Sequence, residues 1–195
     1  MKRPGRKDNA KHEAAHALVA WLSGIPLEIC EIRTRPVTAD LKRFVSLGFT
    51  RVTEEEYGKI NALLLAQSDP TEEERRYLGR HLLFAVAGFV AEQSTGATSQ
   101  ETTGTDRRNA MLAAGRLSGG RIAGDRATGK MEIPDERKPE VFRVLSEAEE
   151  EVQKLLAGHE SAWEQLTSRL MFDGSLSGEQ IDQFLTSLLG KREAR

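Results

Sequence analysis

A single cysteine, Cys30, stands among 195 residues. The chain can therefore form no internal disulfide and no thiolate cage for a metal, which excludes disulfide-stapled secreted scaffolds and fits a reducing compartment. Charge of one sign is also lacking. Twenty-eight basic side chains against thirty acidic ones leave a formal charge of −2, so neither a global basic field for nucleic acid nor an acidic halo is present. Long apolar runs are missing too. The longest, from Leu82 to about Val90, falls far short of the ~20 residues that a membrane span needs, and the start MKRPGRKDNAK leads into no apolar signal region. These absences make a cytoplasmic protein with no membrane association the expectation. What is present suffices for folding: 38% hydrophobic residues over this length can fill the core of one domain with a small extension.

The first residues, with Lys2, Arg3, Arg6 and Lys7 beside Pro4 and Gly5, bury nothing by composition, and 1–9 reads as a flexible basic arm. NAKHEAAHALVAWLS, from Asn9 to Ser23, carries strong helix formers with Ala14, Leu18 and Trp21 at helical spacing, and stops at Gly24 and Pro26. LEICEIRT and FVSLGFTRV form an expected hairpin between Leu27 and Val52. EEEYGKINALLLAQ reads as a helix ended by Asp69 and Pro70. Thr71 and Glu74 then make a capping-box pattern opening a long helix to about Gln93. Inside it LLFAVAGFVA is apolar on nearly every face, which marks a central buried helix. STGATSQETTGTD reads as a polar loop of the kind that carries function. RRNAMLAAGRLS is helical to Gly119 and Gly120, and the stretch to Pro139 reads as a surface loop. PEVFRVLSEAEEEVQKLLAGHESAWEQLTSRL gives one broken or two consecutive helices, with Val141, Leu145, Val152, Leu155 and Leu156 on the apolar side. Ser177 and Gln180 open a last helix to Gly190, and 191–195 reads as a flexible tail.

The sharpest chemical signal is HEAAH, His12 to His16. Four residues on a helix of 3.6 per turn place the two imidazoles on one face, close enough to share a zinc ion, with Glu13 leaning toward its open side. Zinc lowers the pKa of a bound water toward about 7, and a carboxylate beside that water can take its proton and return it to a leaving amine. HExxH also arises by chance, as a solvated pair or a satisfied core contact, so the five residues alone leave both readings standing. Catalytic zinc takes three protein ligands and keeps one position open. The metzincin continuation is absent, because its glycine and third histidine would fall at Val19 and Leu22. His81 and His159 lie in helices and read as structural or surface residues. Asp106, where the polar loop meets the next helix, is the better third-ligand candidate.

With these motifs in order, the chain resembles the peptidase domain of the FtsH family of ATP-dependent zinc metalloproteases, over roughly Lys11 to Leu185. HEAAHALVA is similar to that family's zinc helix, with Ala15 in place of a glycine. Ser46, Leu47, Gly48, Phe49 and Thr50 match its short strand, and VTEEEY is similar to the residues after that strand in the family. AGFVAEQ, Ala87 to Gln93, matches a GGRxAEE segment, and TTGTD matches the loop ending in the third zinc ligand. WEQL and LSGEQI resemble the closing helices.

The resemblance implies zinc held by His12, His16 and Asp106, Glu13 as general base and acid, and Glu92 as an acceptor fixing one ligand imidazole. It also implies that Ser46–Thr50 receives an extended peptide by main-chain hydrogen bonds. A competing alignment of STGATSQ places Gln100 or Glu101 near the metal instead. Met1 stands eleven residues before His12, and no GxxxxGK[ST] sequence occurs, so the family's membrane anchor and ATPase module are expected to be absent. The expected architecture is α+β, mostly α: a zinc-helix peptidase domain over 10–190 with a small β-sheet and a C-terminal helical bundle. The expected activity is ATP-independent zinc endopeptidase cleavage of peptides or unfolded segments. A homo-oligomer and a separate ATPase or delivery partner stay open as partners. A catalytically silent peptidase-like adaptor is the alternative, and a nucleic-acid role for the basic arm would support only weak, salt-sensitive binding.

Overall fold

The computed structural model describes residues 5–36, 44–96, 100–123 and 130–191. The architecture is α+β and mostly α, as expected. Helix α1, Arg6–Ser23, begins three residues earlier than Asn9 because Asp8 accepts a hydrogen bond from the Gly5 amide at 2.8 Å, closing the first turn. Residues 6–9 are thus helical rather than a loose arm, and Asn9 and Ala10 are already buried; residues 1–4 and 192–195 lie outside the described residues.

The hairpin forms where β-branched and aromatic residues alternate. Strand β1, Leu27–Pro36, pairs antiparallel with β2, Phe44–Val52, in a register that sets Cys30 opposite Thr50 and Ile32 opposite Gly48. A short strand, β5, Ser175–Ser177, adds to the far side of β1, giving the order β2-β1-β5 and leaving β2 at the edge. Three-residue β5 has too little pattern to be read from sequence.

Helix α2, Glu54–Leu65, is capped by the Thr53 hydroxyl, and α3, Glu72–Thr95, by the Thr71 and Glu74 box. Leu82, Ala85, Val86, Ala87, Phe89, Val90 and Ala91 of α3 are all buried, so it is the axis of the core. The expected polar loop requires correction. Helix α4 runs Gln100–Leu117 and takes in ETTGTD. Its threonines and glycine are weak helix formers, but Ala110, Ala113 and Ala114 pack into the core beside α3, and that docking outweighs local preference. The expected surface loop beyond Gly120 likewise contains a small hairpin, β3 Arg121–Ala123 with β4 Lys130–Glu132; residues 124–129 lie outside the described residues.

Helices α5, Lys138–Gly158, and α6, Glu160–Asp173, are the two consecutive helices, parted at His159. Helix α7, Gly178–Leu189, opens with the Ser177 and Gln180 box. Val141, Ala148, Val152 and Leu156 of α5 join Trp163, Leu166 and Leu170 of α6 and Ile181 and Leu185 of α7 in one cluster with α1 and α3. Each fully buried side chain of this size contributes roughly 1.5–3 kcal/mol. Polar ties register the layers: the Trp163 indole donates to the Lys11 carbonyl at 2.9 Å, and the Trp21 indole to Asp182 at 3.0 Å. Among the described residues, no helix is long and apolar enough to cross a membrane.

Candidate metal centre

Helix α1 lies between the sheet and α3, so its HEAAH turn has no face left for solvent: His12, Glu13 and His16 are at most 4% exposed. The two Nε2 atoms lie 3.2 Å apart, and Asp106 Oδ2 is 3.0 Å from His12 Nε2 and 3.2 Å from His16 Nε2. Asp106 reaches them from the second turn of α4, not from a loop. Tetrahedral ligands about 2.0–2.1 Å from zinc stand roughly 3.3 Å from one another, so these three atoms make a triangle of the size that one face of such a site requires. His12, His16 and Asp106 form a group that could hold a metal ion.

The outer ring nitrogens fix the tautomers. His16 Nδ1 is 2.7 Å from the Phe84 carbonyl oxygen, which can only accept, so Nδ1 carries the proton. His12 Nδ1 is 3.0 Å from Glu92 Oε1 and donates in the same way; Glu92 thus fixes the His12 imidazole. Both Nε2 lone pairs therefore converge with a carboxylate oxygen, an arrangement of three acceptors that calls for a cation. In the metal-free chain a proton supplies it. Burial opposes charge on His12, but hydrogen bonds to Asp106 and Glu92, with the charges of Glu13 and Asp106, outweigh burial and raise its pKa to about 10. For Asp106 burial alone favours the neutral acid; its contacts with the two imidazoles overcome that and hold the carboxyl well below the usual range.

Glu13 is the third ionisable group of the centre. Its Oε1 is 3.9 Å from His12 Nε2, and its Oε2 accepts the Thr50 hydroxyl at 2.8 Å. Burial raises its pKa, and the neighbouring imidazoles and Thr50 only partly offset that. A carboxylate shifted in this direction accepts a proton more readily than an exposed one.

Two glycines make the room. A methyl group on Gly88 of α3 would lie 2.3 Å from His12 Nε2 and 2.4 Å from His16 Nε2, and one on Gly48 of β2 would lie 2.4 Å from Glu13 Cγ. The expected peptide-binding strand is accordingly divided. Gly48 and Thr50 face inward onto Glu13, while Leu47 and Phe49, on the alternate face, are half-buried. The side chains of Ser46, Gln100 and Glu101 lie outside the described residues.

His81 and His159 stand apart from the centre, His81 bonded to buried Glu56 at 2.8 Å and His159 to the Leu155 carbonyl at 2.9 Å. Sequence reasoning missed Phe84, Gly88 and the inward role of Thr50. Phe84, Gly88 and Glu92 share a spacing of four, which sets them on one stripe of α3 without telling what that stripe faces. A scan against models of known protein families and a search of curated proteins find no match to this chain.

Proposed function

We propose that this chain is a zinc endopeptidase of the FtsH-like peptidase type, cleaving peptides or unfolded protein segments without ATP. One observation carries the reading: two imidazoles and a distant carboxylate converge within 3.2 Å of one another beside a buried glutamate, Glu13. Two nitrogens and one oxygen are a donor set common to catalytic zinc. Zinc held there would act as a Lewis acid toward a peptide carbonyl and lower the pKa of water. His12 and His16 present Nε2 lone pairs, kept in that tautomer by Glu92 and the Phe84 carbonyl. Glu13 takes a proton on Oε1 during attack and delivers it to the leaving amine, a role its raised pKa favours. Edge strand β2 offers main-chain groups to an extended substrate, which suits segments already unfolded. The sequence has no phosphate-binding loop of its own, so folded substrates would need a separate ATPase or delivery partner. The lone buried Cys30 is in keeping with a cytoplasmic setting.

The test is metal analysis joined to turnover of fluorescent casein. The expected result is about one zinc per chain, with Glu13→Gln retaining the metal and losing roughly 100-fold or more in kcat, as for loss of a general base. Full activity in that variant removes Glu13 from the chemistry. Protein with neither metal nor turnover favours the alternative, a silent adaptor domain.

A further inference from the structure

We propose that Thr50 is the positioning residue for Glu13: its hydroxyl holds one carboxylate oxygen so that the other stays turned toward the His12, His16 and Asp106 cluster. This assignment rests on the peptidase reading and extends it to a residue on the strand, outside the HEAAH helix.

Glu13 follows His12 by one residue, about 100° around the helix from the ligand it must serve. Nothing in α1 itself fixes its carboxylate. Strand β2 does so twice. Thr50 Oγ1 lies 2.8 Å from Glu13 Oε2, its shortest contact, against 3.2 Å to the Glu13 carbonyl oxygen and 3.3 Å to Cys30 Sγ. A hydroxyl has one proton to give, and a carboxylate is the strongest of these three acceptors. The Cys30 thiol itself donates to the Glu13 carbonyl at 3.6 Å, which leaves the Thr50 proton for the carboxylate. Two residues earlier on the same face, Gly48 leaves the space that Glu13 occupies: a Cβ there would stand 2.6 Å from Oε1 and 2.9 Å from Cδ. The hairpin register, Cys30 opposite Thr50 and Ile32 opposite Gly48, brings both devices to the helix together. A slip of one residue would turn both away. Among the described residues the Thr50 hydroxyl bonds to Glu13 and Cys30 and not to His12, His16 or Asp106, so it acts through Glu13.

The experiment uses the full zinc-loaded chain as wild type, Thr50→Val and Thr50→Ser. Valine keeps the shape and removes the hydroxyl; serine keeps the hydroxyl. Thr50→Val is expected to retain zinc and the thermal midpoint, to leave KM for casein within about twofold, and to lose roughly ten- to a hundredfold in kcat, the range for a hydrogen bond to a charged group. Thr50→Ser should recover most of that loss. A second readout does not depend on turnover: the 13C carboxylate resonance of Glu13, assigned with Glu13→Gln, should shift in Thr50→Val and stay near its wild-type position in Thr50→Ser. If the wild type is inactive, the peptidase reading fails while this resonance still reports the contact. An unmoved resonance in Thr50→Val overturns the proposal, as does a loss of activity that follows zinc content or KM in place of kcat.

Discussion

Asp106 Oδ2 rests 3.0 Å from His12 Nε2, although 94 residues separate them in the chain. Two helices that share no sequence pattern meet at one pair of atoms, and His16 Nε2 completes the triangle at 3.2 Å from each. The pair has opposite requirements in the metal-free chain: burial would neutralise both side chains, and their mutual contact keeps both charged.

The ligand set can be separated from its rival by substitution. Asp106→Ala should weaken zinc binding by more than the roughly 10–100-fold that loss of an outer partner costs, while Glu101→Ala should leave it unchanged. Competition with a chromogenic chelator measures both. The reverse ranking would assign the third ligand to the segment before Asp106.

Gly88→Ala is expected to remove metal binding without unfolding the protein. In an ordinary helix this exchange stabilises by about 1 kcal/mol. Here the added methyl would lie within 2.4 Å of both imidazole Nε2 atoms, so the rings must separate. Zinc stoichiometry together with far-ultraviolet circular dichroism checks the outcome; full zinc retention would contradict the geometry.

Metal uptake should release a proton. The folded pKa of His12 stands at about 10 against an ordinary 6.5, so this group stabilises the metal-free fold fully below pH 6.5, and the contribution is lost as pH climbs through 10. Zinc bound at Nε2 would displace that proton, and Asp106, already ionised, would contribute none, so apparent zinc affinity should rise with pH across the same window. Calorimetry at about pH 7.5 in two buffers of different ionisation enthalpy should report about one proton released from this site. Equal heats in the two buffers would contradict the charge state given to His12.

Cys30 should be inert in the native protein. Burial and the nearby Glu13 charge both push its thiol pKa up, and the side chain is 0% exposed, the opposite of a reactive thiolate environment. An aromatic disulfide reagent is expected to label it only in guanidinium. Rapid labelling of folded protein would show that the hairpin opens from α1.

Much of this site is legible in the chain without its shape. HEAAH sits on a helix because alanine-rich spacing and Gly24 define one, and the hairpin follows from alternation between Leu27 and Val52. The Thr71 and Ser177 caps bond as their spacing requires. Asp106 stands out in the sequence although its setting does not: polar composition suggests a loop, and only the alanines later in α4, packed into the core, make that segment helical. Thr50 shows the opposite limit. Strand alternation tells which residues share a face, but not that this face meets Glu13, since that depends on how the sheet docks on α1. Gly88 falls inside a motif whose spacing says nothing of its purpose, because a missing side chain has meaning only once its neighbours are known.

Three positions spaced four apart on one stripe of α3 serve the two imidazoles: the Phe84 carbonyl holds His16, Gly88 clears the space between the rings, and Glu92 holds His12. As numbering rises along α1 it falls along α3, so the helices run antiparallel here, and a slip of one residue, about 100° of helix rotation, would remove all three supports at once. An ion held there by His12 and His16 would have its ligands braced from both helices at once, so its affinity would report how closely α1 and α3 are packed.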